Sequence, residues 1–175
     1  MSASQSKPKW RRWLREALQL AVILLLVGAA VDWWRAPQQP LQAADTPLQL
    51  VDGRSVSLRA LSHEQPLVLY FWGSWCGICR HTSPAIDKLA RNGHAVLGVA
   101  LQSGSDAQID AYLHQHGWQF ANLNDSQGDW SRQWQVAATP TIVLVKDGQM
   151  RFSTSGISSY WGLRARLWLV SLWPQ

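Results

Sequence analysis

The chain has 175 residues, room for one domain and an appendage, and 47% hydrophobic residues supply an ample core. Its net charge of +5 is local: residues 1–35 hold six Lys/Arg against Glu16 and Asp32, and the remainder holds ten Lys/Arg against nine Asp/Glu. A body so near neutrality excludes an electrostatic footprint for nucleic acid.

The first stretch is basic, with Lys7, Lys9, Arg11, Arg12 and Arg15. An uncharged run from Ala17 to Val31 follows. It is shorter than the ~20 residues of a usual membrane span. Trp10 and Trp13 before it and Trp33 and Trp34 after it extend it as interfacial anchors. Three readings compete. A signal peptide shares the basic start, and Gly28-Ala29-Ala30 offers small residues for cleavage. A buried core helix also reaches this length. The flanking tryptophans favour a retained anchor, so residues 1–35 read as a cytoplasmic basic flank followed by one transmembrane helix, with the N-terminus cytoplasmic and the domain after it periplasmic.

Residues 36–46, with Pro37 and Pro40, read as a linker, and residues 47–175 as the domain. Leu48–Val51 and Ser55–Leu58 around Asp52-Gly53 predict a hairpin, and Arg59–Gln65 a connection. Pro66–Trp72 is an apolar run that reads as a buried strand. A helix is predicted from near Cys76 to about Asn92, stopped by Gly93 and kinked at Pro84. His94–Leu101 reads as a second buried strand. Asp106 reads as the cap of a helix to His116, which ends at Gly117. Trp118–Leu123 reads as a short strand and Asp129–Gln135 as a short helix. Thr141–Lys146 and Gln149–Ser155 form a hairpin across Asp147-Gly148. A last helix runs from Ser158 or Ser159 to Trp173 before Pro174, with Leu163, Leu167, Trp168 and Val170 toward the core. The order of elements predicts an α/β fold, a mixed sheet with helices on both faces.

The chemistry concentrates at Trp75-Cys76-Gly77-Ile78-Cys79, the only two cysteines in the chain, at the turn from strand to helix. Free N–H groups and the dipole at a helix N-terminus favour a thiolate, so Cys76 is the expected nucleophile. Cys79, one turn further, is close enough to close a disulfide and resolve a mixed one. A structural zinc site wants four ligands, and there is no second cysteine pair. A c-type haem site needs C-x-x-C-H, but Arg80 follows Cys79 and His81 comes one residue late. His63, and His114 with His116, read as solvated residues. Thiolates are also soft enough to hold Cu(I), so a copper-binding module is the competing reading.

Phe71-Trp72, the cysteine motif, Pro84 and Thr139-Pro140 resemble the thioredoxin superfamily. The arrangement is similar to its membrane-tethered, TlpA-like branch, and within that to the thioredoxin-like members of the bacterial copper-sensitivity-suppressor set. The resemblance spans about residues 47–173. It implies a thioredoxin-like fold and a thiol–disulfide oxidoreductase acting on protein substrates, more reductive than oxidative, with a DsbD-like membrane electron donor. It implies a cis bond before Pro140, with Thr139 and Pro140 pairing with substrate and Trp75 walling the site. No cofactor and no metal are implied. Tyr70 stands where thioredoxin carries a buried aspartate, Thr82 where cytochrome-maturation relatives carry a glutamate, and Ile78 where proline or histidine is common. The superfamily's acid–base group therefore has no counterpart at these positions.

Overall fold

The computed structural model describes residues 9–34 and 36–173, apart from the side chains of residues 9, 11, 12 and 32. Lys7, Arg35 and the expected stop at Pro174 lie outside the described residues, as do the side chains of Lys9, Arg11 and Arg12. Contacts divide the chain into two units, split between residues 34 and 35.

The first unit is one helix, α1 (Lys9–Trp34). It outruns the uncharged segment at both ends, and 26 residues at about 1.5 Å each give about 39 Å. Residues Trp13–Val31 are long and apolar enough to cross a membrane, a test that a signal sequence also passes. Leu18, Leu20, Ile23, Leu25 and Leu26 are all exposed, so the helix is apolar around its circumference.

The second unit holds β1 (Leu48–Gln49), β2 (Ser55–Val56), α2 (Leu58–Ser62), β3 (Leu67–Trp72), α3 (Cys79–Arg91), β4 (Ala95–Leu101), α4 (Asp106–His116), β5 (Ala121–Asp125), α5 (Asp129–Gln133), β6 (Thr141–Lys146), β7 (Gln149–Ser155) and α6 (Tyr160–Ser171). Five strands form one sheet in the order β5-β4-β3-β6-β7. β3, β4 and β5 run parallel, and β6 and β7 are antiparallel to their neighbours. This is the expected thioredoxin-like mixed sheet flanked by helices.

Side chains alternate across β3, as the strand period requires. Val68, Tyr70 and Trp72 meet Ile86 and Leu89 of α3, Ile109 of α4, and Leu163 and Leu167 of α6. Leu67, Leu69 and Phe71 meet Leu58 of α2, Trp134, and Leu48 and Leu50 of the N-terminal hairpin. All six residues of β3 are buried, which explains why the strand reads as a continuous apolar run.

Several expectations shift. The β1–β2 hairpin keeps its Asp52-Gly53 turn but has only two residues per strand, because Leu58 opens α2 instead. Ser57 caps that helix, its hydroxyl accepting the Ala60 N–H. Ser105, rather than Asp106, caps α4: its Oγ accepts the Gln108 N–H while the Gln108 side chain accepts the Ser105 N–H. The strand expected at Trp118–Leu123 lies at Ala121–Asp125, because its pairing with β4 runs on from Leu97–Ala121 to Leu101–Asp125. Trp168 is exposed, since only Leu163, Leu167 and Val170 repeat on the inner face of α6. Residues 36–46, expected as a linker, lie along the second unit. The Gln38 N–H donates to the Trp134 carbonyl, Gln39 bonds Gly148 and Met150, and Ala43 and Ala44 are buried.

Candidate active site

β3 delivers the chain to the carboxyl edge of the parallel strands, where such sheets carry their sites. Its last residue is fixed in place: the Trp72 indole N–H donates to Asn122 Oδ1 at 2.8 Å, and Asn122 Nδ2 donates to the Phe120 carbonyl at 2.7 Å. The turn from Gly73 follows. The Ser74 N–H donates to Ser103 Oγ, and the Cys76 N–H to the Gly73 carbonyl. A Cβ on Gly73 would lie 2.6 Å from the Trp75 indole, so glycine makes room for that ring. The Trp75 indole N–H donates to the Leu101 carbonyl at 3.0 Å, and the ring stays exposed at the site's edge.

Cys76 and Cys79 form a disulfide with Cα atoms 5.3 Å apart. The α-helix starts at Cys79, not near Cys76. The intervening backbone makes i to i+3 bonds, Cys79 N–H to Cys76 carbonyl and His81 N–H to Ile78 carbonyl, a tighter turn than the α-helix. Cys79 is therefore the first residue of α3 rather than one turn inside it. Its N–H is shared: it also donates to Cys76 Sγ at 3.2 Å, so a backbone donor at the helix start aims at that sulfur. Both sulfur residues are nearly covered, Cys76 at 6% exposure and Cys79 at 1%.

The Thr139–Pro140 bond is cis. The Thr139 carbonyl oxygen lies 3.7 Å from Cys76 Sγ, which brings the two distant motifs together. Around them, Thr141 Oγ1 donates to the Ala138 carbonyl, and the Gly156 N–H donates to the Pro140 carbonyl at 2.8 Å. The loop is thus held from both β6 and the end of β7.

Beneath the disulfide lies a hydroxyl pair that sequence reasoning did not find. The Tyr70 hydroxyl sits 3.0 Å from Ser83 Oγ and donates to the Cys79 carbonyl at 3.3 Å. Burial pushes the Tyr70 phenol well above its ordinary range, with the Ser83 hydrogen bond opposing, so it stays a neutral donor. Only the packing of β3 against α3 brings these groups together, and no local motif signals it. Thr82 is fully buried, and its hydroxyl oxygen has no partner among the described residues. His81 is exposed on α3. His63 lies 3.4 Å from Asp147, and the His116 ring stacks on Trp118 with Nδ1 2.8 Å from the Tyr112 carbonyl. Among the described residues, no three His, Cys, Asp or Glu side chains converge on a metal position.

A disulfide of C-x-x-C spacing at a strand-to-helix turn, beside a cis-proline loop on a thioredoxin-like sheet, defines a thiol–disulfide oxidoreductase. The AhpC/TSA family model matches residues 40–153, and the chain belongs to that family, among its thioredoxin-like members. A thioredoxin-like protein of Haemophilus influenzae is 40% identical over 162 residues, covering 93% of this chain and 97% of that one. A secreted Mycobacterium tuberculosis disulfide oxidoreductase described as homologous to E. coli DsbE superposes with a TM-score of 0.63. It has 20% identity over 74% of this chain and 99% of its own. StoA from Bacillus subtilis gives 0.62 and 19% over 72% and 98%. At these identities the two structures show the shared fold.

Proposed function

We propose that the chain is a membrane-anchored, periplasmic reductant of protein disulfides, with Cys76 as nucleophile and Cys79 as resolving thiol. The observation that carries the reading is the Cys79 N–H on Cys76 Sγ. A donor aimed at the sulfur stabilises a thiolate there, and helix α3 adds its positive end. Cys76 thiolate attacks one sulfur of a substrate disulfide, that S–S bond breaks, and the departing sulfur takes a proton. Cys79 thiolate then attacks Cys76 Sγ, closes the intramolecular disulfide and releases the second substrate thiol. Two electrons pass to the substrate, and a DsbD-like membrane dithiol restores the pair.

Thr139 and Pro140 form the docking edge. Their loop lies against the attacking sulfur, and its backbone can pair with an extended substrate segment. Trp75 walls the opposite side. The tryptophan-flanked α1 supports retention as an anchor, with its basic end cytoplasmic. Division into anchor (residues 1–35), strap (residues 36–46) and catalytic domain (residues 47–175) follows from the same reading. A place in copper tolerance rests on the family resemblance alone.

The test is insulin-disulfide reduction by the full chain, with dithiothreitol as electron source, together with the reduction potential of the pair. A wild-type rate well above background, lost in Cys76→Ala, supports the reading. A potential near −270 mV marks a reductant, and one near −120 mV would reverse the proposed direction.

A further inference from the structure

Helix α6 is apolar on two opposite faces. Its inner face, Leu163, Leu167 and Val170, is buried in the core. Its outer face steps by four and three residues through Trp161, Ala165 and Trp168 and is continued by Leu172 at the C-cap, with Leu169 and Trp173 beside it. Trp161 is 70% exposed, Trp168 62% and Leu172 61%. A helix with two opposite apolar faces buries both, so this outer face calls for a second apolar surface.

Charge says which surface. From Gly148 to the end of the chain there is no Asp or Glu, whereas Arg151, Arg164 and Arg166 are present. The Arg164 guanidinium lies 5.6 Å from the Trp161 ring and 5.8 Å from the Tyr160 ring, and Lys88 Nζ lies 4.6 Å from the Tyr160 ring. Cations thus border the tryptophan stripe. Tryptophan with Arg and Lys at its edge is the composition that seats in the headgroup layer of a bilayer, with the rings at the interface and the cations on anionic lipid. A second copy fits less well, because a two-fold contact over this stripe would set Arg164 and Arg166 against their own counterparts.

We propose that the outer face of α6 with the turn that follows it, from Trp161 to Trp173, is a lipid-surface contact that seats the catalytic domain on an anionic membrane. This rests on the membrane-anchored reading above. It adds a second attachment, one that fixes the orientation of the domain rather than merely its location.

The full chain is reconstituted into phosphatidylcholine vesicles with and without phosphatidylglycerol. An environment-sensitive fluorophore is placed on Ala165→Cys, or on Ala60→Cys in α2 across the sheet, with the Cys76–Cys79 disulfide closed. Nitroxide-labelled lipid should quench the probe at 165 several-fold more than at 60, and more so with phosphatidylglycerol. Trp161→Ala with Trp168→Ala should abolish the difference; both rings are exposed, so the fold survives. Equal quenching at both positions in protein that floats with the vesicles overturns this inference and leaves the anchor standing. So does a signal at 165 that grows with protein-to-lipid ratio, which would mark a second copy. Failure to float removes the anchor and this contact together.

Discussion

Gly98 sits in the middle of β4, opposite Tyr70 of β3 and Asn122 of β5. A Cβ there would lie 2.2 Å from Asn122 Oδ1, 3.0 Å from its Cγ and 2.9 Å from Phe120 Cε2. The Asn122 amide cannot step aside freely, since it accepts the Trp72 indole N–H and donates to the Phe120 carbonyl. Gly98→Ala therefore forces a choice between a clash and two lost hydrogen bonds. Overpacking a filled core costs about 1–3 kcal/mol. A buried indole N–H or amide left unpaired costs about 1–3 kcal/mol. Removing a strand glycine returns about 0.5–1 kcal/mol. The expected net loss is about 2–4 kcal/mol, or roughly 5–15 °C in Tm for a chain of this length. Calorimetry of the oxidised protein measures it. On an Asn122→Ala background most of the clash is gone, and Gly98→Ala should cost under about 1 kcal/mol, a coupling that a double-mutant cycle reads directly. A loss below about 1 kcal/mol in the wild-type background, or additive losses in the cycle, would refute this account of how Trp72 and the turn after it are held.

Three further outcomes are expected. Asp125→Ala should cost about 1–3 kcal/mol at unchanged denaturant slope, because its two oxygens accept the Trp130 and Ser131 N–H groups that open α5; an unchanged urea midpoint would contradict it. His94 is held below its ordinary 6.5 by burial first and by Arg164 second. Protonation therefore favours the unfolded chain, so this contribution is present above pH 6.5 and is lost as pH falls through the lower folded value. His94→Gln should flatten that part of a stability–pH profile, and an identical profile would count against it. Gly73→Ala should push the Trp75 indole off the Leu101 carbonyl and slow exchange with protein disulfides several-fold, while stability changes by less than about 1 kcal/mol, since the displaced ring is exposed. Unaltered exchange would remove Trp75 from the docking surface.

What could be read from the sequence was what is local. β3 and β6 are uninterrupted apolar runs because both faces are covered. The Asp147-Gly148 turn was legible because both residues take positive φ, 52° and 77°, as a two-residue hairpin turn asks. The cysteine pair and Thr139-Pro140 are short motifs, and the fold brings Cys76 Sγ within 3.7 Å of the Thr139 carbonyl. What depends on distant partners was not legible. Nothing local marks Asn122 as the residue that accepts the indole N–H of Trp72, fifty positions away. α2 is five residues long, too short to show a period. The Pro-rich composition of residues 36–46 resembles a free linker, and only hydrogen bonds to distant Trp134, Gly148 and Met150 reveal a strap. Trp168 is apolar enough for the core, yet one helical step turns it to the outer face.

Assignment of roles to the two sulfurs is the centre of the account, and trapping tests it most directly. Full-length Cys79→Ala and Cys76→Ala, each reduced and then offered a protein disulfide, are resolved on a non-reducing gel and mapped by mass spectrometry. Without the resolving thiol, Cys79→Ala should accumulate a mixed disulfide through Cys76, whereas Cys76→Ala should accumulate little. Trapping mainly through Cys79, or equally through both, would contradict the assignment of Cys76 as the sulfur that the Cys79 N–H and the start of α3 activate.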